Sequence, residues 1–264
     1  MNYQSICLAV CDIAKNAGAF IASERVHFDL KNVETKGLHD LVSYVDKTSE
    51  KQIVEALGLL LPEAGFITEE GTSSKQGDRF QWIIDPLDGT TNFVSGIPTY
   101  AVSIGLVENG QPVVGVVYEI GQKECFYAWK DSQAYLNGEI IRVSDTADMQ
   151  DALLATGFPY SNFSNIDNYL ALLKWGMMET RGIRRLGSAA TDLAYVACGR
   201  FDAFFEYDLK PWDVCAGAFI VQQAGGAVFD FAGGENYLFG KEIVASNAAL
   251  RHEMQEKIRT FFLH

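Results

Sequence analysis

Apolar positions near the start of the chain recur at intervals of three and four. Ile6, Val10, Ile13, Ala17 and Ile21 fall on one side of a helical wheel, which predicts an amphipathic helix over residues 3–25. Residues 48–61 repeat the pattern until Pro62 halts it. From residue 100 the texture becomes that of strands. Val-rich runs at 100–108 and 112–119 flank Asn109-Gly110, a dipeptide suited to a tight hairpin turn. Runs at 124–129, 133–136 and 139–143 continue the theme, with Asn137-Gly138 turning between the last two. These features predict a meandering, largely antiparallel sheet packed against the two N-terminal helices.

Further on, short apolar strands (153–156, 182–186, 201–206, 242–246) alternate with helices (166–179, 188–198, 212–224, 248–262). Such alternation predicts an α/β half. Two tightly packed subdomains are expected, 1–145 of α+β type and 146–264 of α/β type, since no repeat, low-complexity tract or long linker parts them. A site is expected in their seam, where pockets commonly form.

Composition narrows the function. The chain has 264 residues, 48% apolar and 21% charged, with a net charge of −13. That balance opposes broad electrostatic binding to nucleic acid, which rests on neutralising phosphates with Lys and Arg, so no nucleic-acid partner is expected. The five cysteines (Cys7, Cys11, Cys125, Cys198, Cys215) are scattered and odd in number, and no signal-peptide pattern precedes them. No uncharged run of about 18 strongly apolar residues is present to span a membrane. A reduced, cytoplasmic enzyme without a membrane partner is the expectation.

The densest chemical information lies in Trp82-Ile83-Ile84-Asp85-Pro86-Leu87-Asp88-Gly89-Thr90-Thr91-Asn92-Phe93. An apolar run fit for a buried strand over 80–85 meets Pro86, which lacks a backbone donor, so the strand is expected to stop there. Two carboxylates then stand at a strand exit, where ligands of α/β sheets tend to bind. Crowded acids of this kind repel unless a cation lies between them or one is protonated. An Asp-Pro and Asp-Gly turn without chemistry would look the same.

Other acids are ambiguous when taken singly. Asp40 and Asp46 lie in the stretch 36–46, Glu69-Glu70 follow the apolar Phe66-Ile67, and Glu206 closes the run 201–205. Asp213 follows Pro211-Trp212, where an acid in a first helical turn is favoured by the helix dipole alone.

Together these segments resemble the inositol monophosphatase family. Asp85-Pro86-Leu87-Asp88-Gly89-Thr90-Thr91-Asn92-Phe93 matches its first signature, and Trp212-Asp213 with Ala216-Gly217 and Gly225-Gly226 matches its second. Lys36…Asp40…Asp46, Glu69-Glu70 and Arg185-Leu186-Gly187-Ser188-Ala189 fall in the family's order, over residues 3 to 247. The resemblance implies a layered α-β-α-β-α sandwich of the sugar phosphatase type and an Mg²⁺-dependent phosphatase that acts by activated water without a phosphoenzyme. It implies that Glu69, Asp85 and the Leu87 carbonyl hold one metal, and that Asp85, Asp88 and Asp213 hold another. Glu69 would also help to place a third ion and orient the attacking water, while Thr90, linked to Asp46, takes its proton. Gly89 and Thr90 amides would meet the phosphate; Asp88, Ser188, Ala189, Glu206 and Asp213 would meet substrate hydroxyls. An all-oxygen ligand set suits Mg²⁺ and disfavours Zn²⁺.

The implied substrate is a sugar or polyol phosphate, foremost an inositol monophosphate. Adenosine bisphosphate, fructose bisphosphate and histidinol phosphate are the alternatives on the same fold, and a regulatory protein without catalysis is the alternative from another class. Lithium inhibition and a homodimer are also implied. Lys36 is expected to temper the acids, Arg185 to form a structural ion pair with a carboxylate, and His39 carries no role.

Overall fold

The computed structural model describes residues 1–28, 33–37 and 40–262. Helix α1 (Tyr3–His27) opens the chain, with the Asn2 side chain accepting from the Ser5 amide at its start. Strands β1 (Val33–Gly37) and β2 (Asp40–Ser43) form a small antiparallel ribbon that leads into α2 (Tyr44–Leu60). Then follow β3 (Gly65–Thr68), β4 (Phe80–Asp88), α3 (Thr90–Ser95), β5 (Ala101–Glu108), β6 (Gln111–Glu119), β7 (Glu124–Trp129), β8 (Ala134–Leu136) and β9 (Glu139–Ile141). These seven strands form one sheet in the order β3-β4-β5-β6-β7-β8-β9. Only β3 and β4 pair in parallel; each later neighbour is antiparallel.

The rest of the chain supplies β10 (Leu153–Thr156), α4 (Ile166–Glu179), β11 (Gly182–Arg184), α5 (Ala189–Ala197), β12 (Ala203–Tyr207), α6 (Pro211–Gln223), β13 (Ala227–Phe229), β14 (Glu242–Ser246) and α7 (Arg251–Phe262). Its five-stranded sheet runs β11-β10-β12-β14-β13, parallel from β11 to β12 and antiparallel beyond.

Side-chain alternation along the strands stacks these parts into five layers. Trp82 and Ile84 of β4 join Val10, Ile21, Ile53 and Leu57 of α1 and α2 in one core. Ile83 points the other way, into a second core with Leu193 of α5, Cys215 and Ala216 of α6, and Phe204 of β12. Phe205, one residue on, packs with Tyr169 and Leu172 of α4 and Met254 and Ile258 of α7. The order is helices, sheet, helices, sheet, helices, the α-β-α-β-α sandwich expected from the sequence.

The boundaries differ from expectation at two informative places. Helix α2 begins at Tyr44 rather than near residue 48, because Ser43 and Asp46 cap it reciprocally. Strand β4 does not stop at Pro86. Its pairing with β5 runs Asp85↔Ser103, then slips to Asp88↔Ala101. Pro86 and Leu87 bulge out of the ladder, so the missing proline donor costs no strand bond. The β1-β2 ribbon and β13 carried too little periodic signal to be read in advance.

Helix α1 is long and apolar enough to cross a membrane on length and composition alone. In this fold Cys7, Val10, Ala14, Ala17 and Ile21 line its buried side. All five cysteines are free.

Candidate active site

Four separate segments converge at one end of the seven-stranded sheet. Strands β3 and β4 pair Thr68 with Ile84, so Glu69 and Asp85 emerge side by side, and the Glu69 amide donates to the Ile84 carbonyl (3.3 Å). The bulge turns back on itself as the Leu87 amide donates to Asp85 Oδ1 (2.9 Å). Gly89 then adopts a left-handed conformation (φ 94°) to start α3, and a side chain there would press on the Gly187 and Thr99 carbonyls at 3.1 Å.

Asp213 reaches this place through β5. Ser103, opposite Asp85 in register, donates its hydroxyl to the Trp212 carbonyl (3.1 Å). Asp213 also caps α6, accepting from the Lys210 amide at 2.7 Å. Its structural role and its place in the site therefore coexist.

Asp88 is held by α5. Its Oδ2 accepts from the Ser188 hydroxyl (2.7 Å) and the Ala190 amide (2.7 Å). Ser188, expected to face substrate, is committed here to Asp88. Thr90 Oγ1 lies 2.9 Å from Asp46 Oδ1 and 3.0 Å from the Leu87 carbonyl, and Asp46 Oδ2 accepts from the Ser43 amide and hydroxyl. Glu206 projects from β12 and is 6% exposed.

Glu69, Asp85, Leu87, Asp88, Gly89, Thr90, Ser188, Ala189, Glu206 and Asp213 all line a single cavity of about 310 Å³. Asp46 stands behind Thr90, fully buried. The side chains of Lys36 and Asp40, and His39 altogether, lie outside the described residues.

The electrostatics are those of crowded acids. Burial raises the Asp85 carboxyl well above the usual range, and the charges of Glu69, Asp88 and Asp213 raise it further. Burial pushes Asp88 up to about 6, opposed by its bonds from Ser188 and Ala190. Asp213 is pushed up to about 7 by burial and by Asp88, although the Lys210 amide and a hydrogen bond shared with Asp85 oppose the rise. Burial raises Glu206 as well, and the charges of Asp192, Asp213 and Asp88 raise it further. Among the described residues no three acidic, His or Cys groups are drawn together tightly enough to form a ready-made cage.

Arg185 corrects one expectation. Among the described residues it forms no ion pair; it donates to Tyr160 Oη (2.9 Å), and its guanidinium lies 5.2 Å from the Phe158 ring centroid. Its charge still lowers the pKa of Asp88, Asp192 and Glu206.

Five further residues shape the site beyond those expected from the sequence: Ser49, Glu50, Ser103, Gly157 and Asp192. For Ser49 and Glu50 a signal existed. With Asp46 they form a polar strip on one side of α2, at spacings of three and four, where an ordinary amphipathic helix would be apolar or solvated.

Comparison with known proteins decides the lineage. The sequence profile described as the inositol monophosphatase family matches residues 2–261. The chain belongs to the inositol monophosphatase family. Within and around that family, the chain is 42% identical over 242 residues to a protein named putative Nus factor SuhB from Neisseria meningitidis serogroup B, covering 91% of this chain and 93% of the relative. The crystal structure of extragenic suppressor protein suhB from Bartonella henselae superposes with a TM-score of 0.91 at 38% identity, covering 97% and 98%. An inositol monophosphatase from Anabaena (Nostoc) superposes with a TM-score of 0.89 at 34% identity, covering 99% and 98%. The inositol monophosphatase fold is thus shared along essentially the whole chain.

Proposed function

We propose that this protein hydrolyses a phosphate monoester in a reaction that needs Mg²⁺, with inositol monophosphate as the favoured substrate. The observation that supports this reading most directly is the burial of Asp85 among Glu69, Asp88 and Asp213 in one cavity. Buried like charges are costly unless a cation or proton relieves them, and an all-oxygen set of this kind fits a small hard ion. Glu69, Asp85, Asp88, Asp213 and the Leu87 carbonyl would hold Mg²⁺. When bound, the ions would neutralise phosphoryl charge and acidify a water.

The chain's own groups supply the rest. Thr90 Oγ1 can receive a proton from water on its lone pair while passing its own to Asp46 Oδ1, 2.9 Å away. Burial raises the Asp46 carboxyl, with bonds from Ser43 and Thr90 opposing, so Asp46 is a better proton acceptor than an exposed aspartate. Glu69 orients the water. Glu206, Asp88 and Asp213 offer carboxylate oxygens to substrate hydroxyls, and one carboxylate can accept two at once. Ala189 bounds the same space, and the Gly89 and Thr90 amides face the phosphate.

Phosphate release from inositol monophosphate, fructose bisphosphate, adenosine bisphosphate and histidinol phosphate, measured with MgCl₂ and with EDTA, tests the reading. The expected result is the highest kcat/KM for inositol monophosphate and no turnover in EDTA. A clear preference for another phosphate, or turnover in EDTA, overturns it. Inhibition by LiCl and a homodimer by light scattering belong to the same reading.

The Nus factor name of the Neisseria relative supports a second reading, in which the chain acts as a Nus factor and the cavity serves no turnover. Absence of phosphate release from every substrate in MgCl₂ would put this second reading in front.

A further inference from the structure

Helix α2 turns one buried polar strip toward the site, and each member holds a different segment of it. Asp46 bonds Thr90, after β4. Ser49 donates to the Pro86 carbonyl (3.3 Å), in the bulge between Asp85 and Asp88. Glu50, fully buried, spans the loop after β3: Oε2 accepts from the Glu70 amide (2.7 Å), and Oε1 from the Thr72 amide (2.8 Å) and hydroxyl (2.7 Å).

We propose that Glu50 is a positioning residue that sets Glu69 for cation binding. The inference rests on the cation-binding reading of the cavity given above. The Glu70 amide belongs to the planar peptide that begins at the Glu69 carbonyl, and the Glu69 amide, bonded to the Ile84 carbonyl, belongs to the one before it. With both planes held, the Glu69 α-carbon and the exit direction of its side chain are set. Without it, Glu69 would head a loop, residues 70–79, that is largely exposed and polar and offers little packing to hold it. A carboxylate suits the task because it only accepts: both oxygens face donors. Glutamine of equal size supplies one accepting oxygen and an NH₂ that must face either the Glu70 amide or the Thr72 donors. Groups that orient metal ligands from behind commonly matter to affinity by about 10- to 100-fold.

Full-length wild type, E50Q and T72V, titrated with MgCl₂ alone and followed by thermal denaturation from an EDTA baseline, provide the test. E50Q is expected to raise the MgCl₂ concentration for the half-maximal Tm shift about tenfold. T72V, which removes one of the three bonds to Glu50 and no charge, is expected to raise it less but in the same direction. A purely structural role would lower the EDTA Tm and leave both midpoints at the wild-type value, which overturns the proposal. A shift in E50Q with none in T72V would mark a charge effect and overturn it too. If wild type shows no MgCl₂ response, the cation reading fails first and this inference with it; a normal wild-type response beside unmoved variants defeats the inference alone.

Discussion

The carboxylate of Glu206 rests against the α-carbon of Gly157. Strands β10 and β12 run in parallel with Thr156 beside Phe205, so the next residue on each, Gly157 and Glu206, meet at the strand ends. A methyl group on Gly157 would lie 2.0 Å from Oε1 and 2.1 Å from Oε2 of Glu206. Glycine here makes room for a buried acid at the cavity wall.

Gly157→Ala should therefore push Glu206 aside. Overpacking of this kind costs about 1–3 kcal/mol, and kcat/KM for the best phosphate should fall about tenfold or more while the Mg²⁺-induced Tm shift stays put. Denaturant melts and steady-state kinetics check this; wild-type kcat/KM would contradict the contact's importance.

Glu206→Ala keeps the backbone and removes the acid. It should change the ranking of sugar phosphates more than the MgCl₂ concentration needed for half activity. A strong shift in Mg²⁺ requirement with an unchanged substrate ranking would reverse the division of roles between Glu206 and the aspartates.

Asp88→Asn retains an oxygen to accept from Ser188 and Ala190, so the link between β4 and α5 should survive and the protein should fold. Loss of one charge from the proposed ion site should lower kcat about a hundredfold or more. Circular dichroism and phosphate release at saturating MgCl₂ test the pair of expectations, and near-normal rates would refute the role.

Protonation offers a check that needs no substrate. Asp88 and Asp213 are raised from 3.8 to about 6 and about 7. Their folded pKa values exceed the unfolded ones, so this contribution to stability is complete below about 3.8 and is lost as pH rises through about 6 to 7. In EDTA their titration lowers stability across that window. Cation binding needs the deprotonated acids, so the Tm gain from MgCl₂ should be larger near pH 8 than near pH 5. Equal gains at the two pH values would count against these carboxylates as the ligands.

Local rules carried much of the fold. Period-three-and-four apolar spacing located α1, the alternation of apolar strands with helices located α4 and α6, and Asn109-Gly110 and Asn137-Gly138 marked turns whose residues all take positive φ. Pro86 was legible as a break in strand bonding, but not as a bulge that the strand survives. That outcome depends on β5, whose Ser103 and Ala101 resume the pairing on either side.

What the sequence determined by itself was whatever a few neighbouring residues enforce: helix faces, turns, caps and the acid-rich strand exit at Asp85. Tertiary structure alone decided what those acids face. Ser103 brings Trp212 and hence Asp213 to Asp85, Ser188 crosses to Asp88, Glu50 grips the loop behind Glu69, and Arg185 lies over Phe158 and, among the described residues, pairs with no acid. These partners lie 20 to 109 positions apart, the Arg185–Phe158 contact included. Periodicity reports which side of an element is buried; only the packing of five layers fixes which buried polar groups then meet.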